Sequence, residues 1–249
     1  MTEKKTAIGQ GADEPIVRRK LSEQVFDRLR HMVASGELAP GDAIYSEREL
    51  MERFGVGRPA IREALQSLAS KGLITISHGE RSRVNRLTPG MAFGQMDEIA
   101  RLLLSTEPDN LDHLKELRRL LEVATVRKVA PICTPEDISD LRGLVSTQRG
   151  HLGDASGFIQ TDIAFHARLA EATGNPLIKA VTEAMLTWLF DYHAPMLRWS
   201  GREETTLSEH ESIVDFLEKG DADTAAEMMA GHLDRSEPLY RHLGDNKSA

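Results

Sequence analysis

Four side chains in the second half of the chain have the chemistry of a metal site. Asp162 and His166 are four residues apart, so on a helix both can reach one ion. Two later histidines, His210 and His232, could complete a set of one carboxylate and three imidazoles. Such a set suits a divalent metal, Zn²⁺ first and Ni²⁺, Mn²⁺ or Fe²⁺ as alternatives. The competing interpretation is that each histidine is separately a core or surface residue.

An arginine upstream of these residues could bind an anion. Arg118 lies in the segment ELRRLLE, residues 116–122, on a long predicted helix. An arginine on the inner face of a helical bundle is costly to bury unless it meets an anion, and its planar fork fits a carboxylate. The alternative is a solvated helix face with Glu–Arg pairs, which the sequence alone favours.

Arginines in the first third of the chain could contact nucleic acid. Arg58 and Arg62 are four apart, so they share one face of a predicted helix. A helix that packs on one side and offers arginines from its first turns on the other is the reading element of a helix-turn-helix. Arg81 and Arg83 follow in a predicted hairpin, where they could contact backbone phosphates. The alternative is a solvated helical hairpin with scattered arginines.

The local signals for this helix-turn-helix are strong. Ser46 and Glu49 have the spacing of a capping box for a helix that ends at Phe54, and Gly55 and Gly57 then form a tight turn. The second helix is predicted from Arg58 to Lys71, with Pro59 in its first turn and Gly72 after its end. Its predicted core stripe consists of Ile61, Ala64, Leu65 and Leu68.

The flanking segments complete a predicted winged helix-turn-helix domain over residues 18–88. A helix over Leu21–Ser35 precedes the motif, and Ala43–Tyr45 is a candidate strand. The two strands of the wing are predicted over Leu73–Ser77 and Ser82–Asn85.

The remainder of the chain is predicted to be an all-α antiparallel helical bundle, so the fold class is mainly α. Residues 89–95 have turn chemistry and are predicted as a linker, and the bundle is predicted over 96–243. Its seven predicted helices run from Met96 to Ser105, Asn110 to about Ala130, Pro135 to His151, Asp154 to Thr173, Pro176 to about Leu197, Glu203 to Lys219 and Asp221 to about Leu243. Residues 1–17 and 244–249 are predicted as tails.

Charge divides along the same boundary. The chain of 249 residues has a net charge of −8, but residues 1–88 carry 15 Lys and Arg against 12 Asp and Glu, while the rest carries 16 against 27. Only the first part suits a polyanion. No apolar run approaches the ~20 residues of a membrane span, and the single cysteine, Cys133, excludes an intrachain disulfide. We therefore expect a cytoplasmic protein without a membrane partner.

Several motifs in their order resemble those of the GntR family of bacterial transcription regulators, in particular its FadR branch with an FCD effector domain. The winged helix carries SERELMERFGVGRPAIREALQSLASKGLI, and the bundle carries ELRRLLE, DIAFHARLAEATGNPL and EHESIVDFLEKGDADTAAEMMAGHL. The resemblance covers nearly the whole chain after residue 18. Within the family, Gly57-Arg58-Pro59 and the wing sequence GERSRV depart from the commonest pattern and resemble the sialic-acid regulators.

The resemblance implies roles for particular residues. It implies a metal held by Asp162, His166, His210 and His232, and a pocket-facing Arg118 that helps to hold a carboxylate effector. It also implies DNA contacts from Arg48, Arg58 and Arg62, with Gly79 at the wing tip entering the minor groove.

The leading hypothesis is a metabolite-responsive regulator, a repressor, that binds double-stranded operator DNA as a homodimer. Its effector would be a small carboxylate such as a sugar acid or sialic acid, bound beside the metal. The alternatives are a metal-dependent enzyme acting on a small organic acid and a regulator with a purely structural metal. The enzyme alternative has a chemically able metal set, but no second acid or base is evident beside it.

Overall fold

The computed structural model describes residues 19–77, 80–107, 109–193 and 203–241. The chain forms two compact units that divide between Leu87 and Thr88. The first unit combines helices with a small sheet and the second is helical throughout its described residues, so the predicted fold class is confirmed. The predicted tails and the predicted helix ends near Leu197 and Leu243 lie outside the described residues.

The described residues of the first unit form three helices and a two-stranded sheet. These elements are α1 (Leu21–Ala34), α2 (Glu47–Phe54), α3 (Arg58–Ser70), β1 (Ile74–Thr75) and β2 (Arg83–Val84). The strands are antiparallel, with Ile74 opposite Val84 and Thr75 opposite Arg83. Ala43 adds a single antiparallel bridge to Arg83, so the strand predicted around it is reduced to one residue.

Both strands of the wing are shorter than predicted, and hydrogen bonds of the Asn85 side chain extend their pairing at the base. The amide of Asn85 donates to the Gly72 carbonyl at 2.9 Å, and its oxygen accepts from Thr75 Oγ1 at 2.8 Å. The Asn85 backbone N–H still donates to the Leu73 carbonyl at 3.0 Å. The wing is therefore held at its base by both backbone and side-chain hydrogen bonds.

The turn between α2 and α3 depends on a cap and a glycine. Ser46 Oγ accepts from the Glu49 N–H at 3.3 Å, and the Glu49 carboxylate accepts from the Ser46 N–H at 2.7 Å, which is the predicted capping box. Gly55 has φ 64°, a left-handed conformation that glycine adopts without a Cβ clash. Arg58 then begins α3 with Pro59 in the first turn.

The predicted apolar stripe of α3 is buried. Ile61, Ala64 and Leu68 have no exposed surface, and Leu65 is nearly enclosed. They pack in one cluster with residues of α1 and of the wing, among them Val25, Leu29, Met32, Ile74 and Val84. Because this face is committed to the core, the opposite face of α3 is left to solvent.

The described residues of the second unit form eight helices. They are α4 (Pro89–Gly94), α5 (Asp97–Thr106), α6 (Asp109–Val129), α7 (Pro135–Gly150), α8 (Ala155–Ala172), α9 (Pro176–His193), α10 (Glu203–Glu218) and α11 (Ala222–Arg241). α6 packs against α8, α9 and α11, α7 packs against α8 and α10, and α8 packs against α9. No described helix is long and apolar enough to cross a bilayer.

The segment predicted as a linker, residues 89–95, is helical over most of its length. Thr88 caps α4 by accepting from the Met91 N–H at 3.3 Å, and Pro89 lies in the first turn. α4 packs against α9, which supplies the tertiary contacts that so short a helix needs. The sequence predicted a linker here because Pro89 and Gly90 are typical of turns. The six residues of α4 are too few to show the periodicity of a helix.

We expect Ser46→Ala to lower the free energy of unfolding of the first unit by about 0.5–2 kcal/mol, because the substitution removes the acceptor of the α2 cap. Ser70→Ala is the matched control, since the exposed Ser70 hydroxyl only donates within its own helix, to the Ser67 carbonyl. Chemical denaturation of both variants checks the prediction. Equal stabilities would contradict it.

Candidate metal centre and DNA-binding surface

The structure brings the four predicted metal ligands together. Asp162 and His166 come from α8, His210 from α10 and His232 from α11. One ligand atom from each residue lies within 4.8 Å of the others. The three histidines are buried, and Asp162 is partly buried. The cluster therefore lies at the junction of three helices.

The distances in this cluster fit a single ion. The two carboxylate oxygens of Asp162 lie 3.7 Å from His166 Nε2 and 3.6 Å from His210 Nε2. Ligand atoms of a tetrahedral zinc site lie about 3.3 Å apart when each bond is about 2.0–2.1 Å, so these two pairs need only a small contraction, whereas ligand atoms up to 4.8 Å apart must approach one another further. His210 Nε2 is buried and has no hydrogen-bond partner among the described residues. A buried, unpartnered nitrogen is costly, and a metal ion would satisfy it.

Each histidine of the cluster is held through its other ring nitrogen. The Nδ1 contacts are His166 to Glu122 Oε2 at 2.5 Å, His210 to Gln148 Oε1 at 2.9 Å and His232 to Glu209 Oε2 at 2.8 Å. An oxygen acceptor at Nδ1 favours the tautomer that carries its proton there and leaves the Nε2 lone pair for a metal. Hydrogen bonds thus orient the imidazoles of His210 and His232, while Glu122 Oε2 contacts His166 Nδ1 as an ion pair outside hydrogen-bond geometry.

Gln148 orients two of the ligands at once. Its amide oxygen faces His210 Nδ1, and its amide nitrogen donates to Asp162 Oδ1 at 3.1 Å and to the Phe158 carbonyl at 3.3 Å. The side chain is fully buried on α7. Sequence reasoning missed Gln148, because nothing in its own segment distinguishes it from a surface glutamine.

Glu209 was also missed, although it directly precedes a predicted ligand. Besides facing His232, its carboxylate accepts from the guanidinium of Arg235, with Nε at 2.7 Å. Burial opposes ionisation of Glu209, but the hydrogen bonds from His232 and Arg235 outweigh it and lower the pKa to about 2. The contact joins α10 to α11 at the metal cluster.

The protonation states in the cluster suit metal binding at neutral pH. Burial lowers the pKa of His210 well below its ordinary value and lowers that of His232 as well. Burial alone would raise the pKa of Asp162, but electrostatic interaction with the neighbouring histidines, His166 first, and with Arg118 holds it below the usual range. The cluster therefore offers the carboxylate of Asp162 together with imidazoles at His210 and His232 whose burial favours the neutral form.

Arg118 borders this cluster from α6. Its side chain is 9% exposed, so the solvated-face interpretation is wrong for this residue. Arg118 Nε donates to Glu122 Oε1 at 2.6 Å, and Nη2 lies 3.2 Å from His166 Nε2. Burial would raise the pKa of Glu122, but the charges of Arg118 and His166 lower it to about 2. Glu122 thus holds both the candidate effector arginine and a candidate metal ligand.

The candidate DNA contacts lie on the first unit. Five predicted arginines are exposed there: Arg48, Arg58, Arg62, Arg81 and Arg83. Gly79 lies outside the described residues. The arginine contacts are Arg58 and Arg62 with Glu47 at 3.6 and 2.8 Å, Arg48 with Glu52 at 2.9 Å, Arg81 with Glu49 at 3.7 Å and Arg83 with the Gly41 carbonyl at 2.9 Å. Exposed ion pairs contribute little to stability, so these arginines can exchange partners with DNA at small cost.

Two protein families match the two units. Residues 21–84 match the family described as bacterial regulatory proteins, gntR family, and residues 113–235 match the FCD domain. The match to the FCD domain contains Arg118 and all four candidate metal ligands, and the match to the gntR family contains the five exposed arginines.

Relatives and solved structures agree with this assignment. The chain is 36% identical over 246 residues to a protein of Cronobacter sakazakii named HTH-type transcriptional repressor NanR, covering 98% of this chain and 94% of that protein. It is 35% identical over 241 residues to the protein of that name from Escherichia coli strain K12, covering 96% and 91%.

Among solved structures, Streptococcus agalactiae GntR has a TM-score of 0.65 at 24% identity, covering 89% of this chain and 99% of that one. E. coli McbR/YncC has a TM-score of 0.52 at 18% identity, covering 92% and 100%. These two similarities concern the fold. The family matches to both units and the relatives along nearly the whole chain show the family, and the solved structures agree in fold. The chain therefore belongs to the GntR family of bacterial transcription regulators, with an FCD domain after its winged helix, and is not an enzyme.

Proposed function

We propose that the protein is a metabolite-responsive transcriptional repressor. It binds operator DNA as a homodimer in the cytoplasm, and a small carboxylate bound beside a divalent metal in the FCD domain weakens that binding. The observation that carries the proposal is the buried cluster of Asp162 and three histidines with Arg118 at its edge. The relatives named as repressors support the direction of regulation.

The first unit supplies the surface for operator binding. Arg58 and Arg62 are exposed on a face of α3 that flanks its buried stripe. In this position α3 can enter a major groove while the arginine forks meet guanine edges. Arg48, Arg81 and Arg83 lie on neighbouring elements, where their guanidinium groups can contact phosphates.

The second unit supplies an interface for the homodimer. Large apolar side chains are exposed on α5 and α6, namely Ile99, Leu102, Leu103, Leu117 and Leu120. An interface between two copies would remove these side chains from water. A dimer also presents two reading helices to two half-sites of an operator.

Asp162, His166, His210 and His232 would hold the metal, most favourably Zn²⁺, with Ni²⁺, Mn²⁺ and Fe²⁺ as alternatives. The metal would supply a positive charge that the carboxylate oxygens of an acid can coordinate. The chain's own residues position its ligands: Glu122, Gln148 and Glu209 fix the imidazoles, and Gln148 also fixes the carboxylate.

Arg118 would hold the carboxylate of the effector. Its Nη2 now donates toward His166 Nε2, the lone pair that a metal needs, so the two contacts exclude each other. Metal binding therefore requires Nη2 of Arg118 to move away from His166. The hydrogen bond from Arg118 Nε to Glu122 can remain while the guanidinium rotates about it. The released arm can then meet an anion such as a sugar acid or a sialic acid. Its positive charge matters because the rest of the second unit is strongly acidic.

We expect the double variant Arg58→Ala, Arg62→Ala to lose specific DNA binding. A duplex enriched from a random pool by the wild-type protein serves as the probe. Arg58→Ala alone should cost about 1–3 kcal/mol, the typical discrimination of one bidentate guanine contact. Arg53→Ala is the control, because Arg53 is an exposed arginine of the same unit outside the predicted contact set. Undiminished binding by the double variant would refute this role of α3.

We expect one equivalent of Zn²⁺ per chain and a rise in melting temperature on binding, because a ligand of the native state stabilises it. His210→Ala should abolish both effects. His151→Ala should not, since the partly exposed His151 lies outside the cluster. Calorimetric titration of protein purified without a His-tag is the measurement. A wild-type protein that ignores Zn²⁺, Ni²⁺ and Mn²⁺ would contradict the metal site.

The metal-free protein should lose stability as the pH falls below about 6.5. The folded-state pKa values of His210 and His232 are lowered by burial, so below the ordinary value of 6.5 the unfolded chain binds protons that the folded chain does not. The free energy of unfolding therefore decreases with acidification in that window. Denaturant titrations at several pH values check this, and His210→Ala should flatten the dependence. A wild-type stability that stays constant from pH 7.5 to 5.5 would contradict it.

The role of Arg118 is best tested without leaving a buried carboxylate unpaired. A thermal-shift screen of sugar acids, sialic acids and short carboxylates first identifies an effector. The variant Arg118→Met, Glu122→Gln is then compared with Glu122→Gln alone, and we expect a large loss of effector affinity with effector-free DNA binding intact. Linkage also requires bound DNA to lower the affinity for the effector by the same factor by which the effector lowers the affinity for DNA. This factor is typically about 5–150-fold. Equal effector affinity with and without saturating DNA would show that the two sites are uncoupled and would contradict the regulatory mechanism, whereas a purely structural metal predicts that no acid in the screen stabilises the protein.

A further inference from the structure

Glu47 lies between the two arginines of the reading helix. Its Oε1 accepts from Arg62 Nε at 2.8 Å, and its Oε2 lies 3.6 Å from Arg58 Nε. Each oxygen of one carboxylate therefore faces one guanidinium. Glu47 is the first residue of α2, so this contact spans the turn between α2 and α3.

Both contacts are made through the Nε edge of the guanidinium. A contact at Nε leaves the terminal pair of nitrogens, Nη1 and Nη2, available for a second partner. That pair is a fork that can donate two parallel hydrogen bonds to O6 and N7 of a guanine. Glu47 can thus hold Arg58 and Arg62 while their forks remain free to read bases.

We propose that Glu47 is a positioning residue for sequence-specific DNA binding. This inference rests on the proposed function, because it assumes that Arg58 and Arg62 contact DNA. Glu47 holds their guanidinium groups in orientations suited to guanine and offsets part of their positive charge. It therefore increases specific binding and decreases nonspecific binding at the same surface.

The two effects have separate physical origins. Ordering a long side chain on binding costs conformational entropy, and a contact already present in the free protein reduces that cost. Nonspecific affinity depends on the number of phosphates that the protein neutralises, so a carboxylate between two arginines lowers it. Specificity is the difference between these affinities, and both effects increase it.

The other carboxylates of α2 have different partners. Glu49 is engaged by the Ser46 cap, and Glu52 pairs with Arg48 on its own helix. Among the described ion pairs, Glu47 alone joins α2 to α3. The capping box holds the first turn of α2 and so fixes the position from which Glu47 reaches the two arginines.

The test compares Glu47→Gln with Glu37→Gln in the full-length protein. Glu37 also pairs with an exposed arginine, Arg53, at 2.7 Å, but that arginine is not a predicted DNA contact. Affinities are measured for a duplex enriched by the wild-type protein and for a shuffled duplex of the same composition. We expect the ratio of the two affinities to fall about tenfold in Glu47→Gln, within the range expected for one base contact, and to stay unchanged in Glu37→Gln.

Glu47→Asp separates positioning from charge. It keeps the charge but is one methylene shorter, so we expect weaker specific binding and unchanged nonspecific binding. If Glu47→Gln keeps the wild-type ratio, Glu47 has no role in specificity, and if Glu37→Gln lowers the ratio equally, Glu47 acts only through bulk charge; either result overturns the proposal. Failure of the wild-type protein to enrich any duplex is a different result, which overturns specific DNA binding and this proposal with it. Melting temperatures verify that each variant is folded.

Discussion

The second unit depends on one constraint, that a group of polar side chains buried at its centre must have partners. Arg118, Glu122, Gln148 and three histidines lie there with little or no exposure to water. An isolated charge or polar group in such a place would be strongly destabilising. The helices therefore meet in an arrangement that pairs most of these groups and leaves His210 Nε2 without a hydrogen-bond partner among the described residues, which connects the site to the fold.

This arrangement connects elements that are distant in sequence. Glu122 of α6 contacts His166 of α8. Gln148 of α7 contacts Asp162 of α8 and His210 of α10, and Glu209 of α10 contacts His232 of α11. A metal bound at this candidate site would consequently affect residues of five helices, α6, α7, α8, α10 and α11. In the proposed function, the contact between Arg118 and His166 would give that change a direction, because a metal and the arginine would compete for the lone pair of His166 Nε2. A network with two discrete states is the physical requirement for allosteric coupling.

The first unit follows a more local logic. Its capping box, left-handed glycine and amino-terminal proline all act within a few residues, and together they orient α3. The buried stripe of α3 leaves one face exposed, and the two arginines of that face, Arg58 and Arg62, are paired with one carboxylate of α2, that of Glu47. The side chains of this exposed face of α3 are thus ordered in the absence of a partner. Breaking their ion pairs when a partner binds costs little free energy, because exposed ion pairs are weak.

What the sequence determined by itself is the part encoded by short-range rules. The capping box of Ser46 and Glu49, the stripe of α3 and the spacing of Asp162 and His166 follow from helix geometry, so they were predictable. The boundary at residue 88 was visible as a change in charge and periodicity. Only the tertiary structure decided that Arg118 is buried, that residues 89–94 form a helix, and that Glu122, Gln148 and Glu209 hold the histidines. Each of these depends on contacts between helices far apart in the chain, which no local pattern of residue types records.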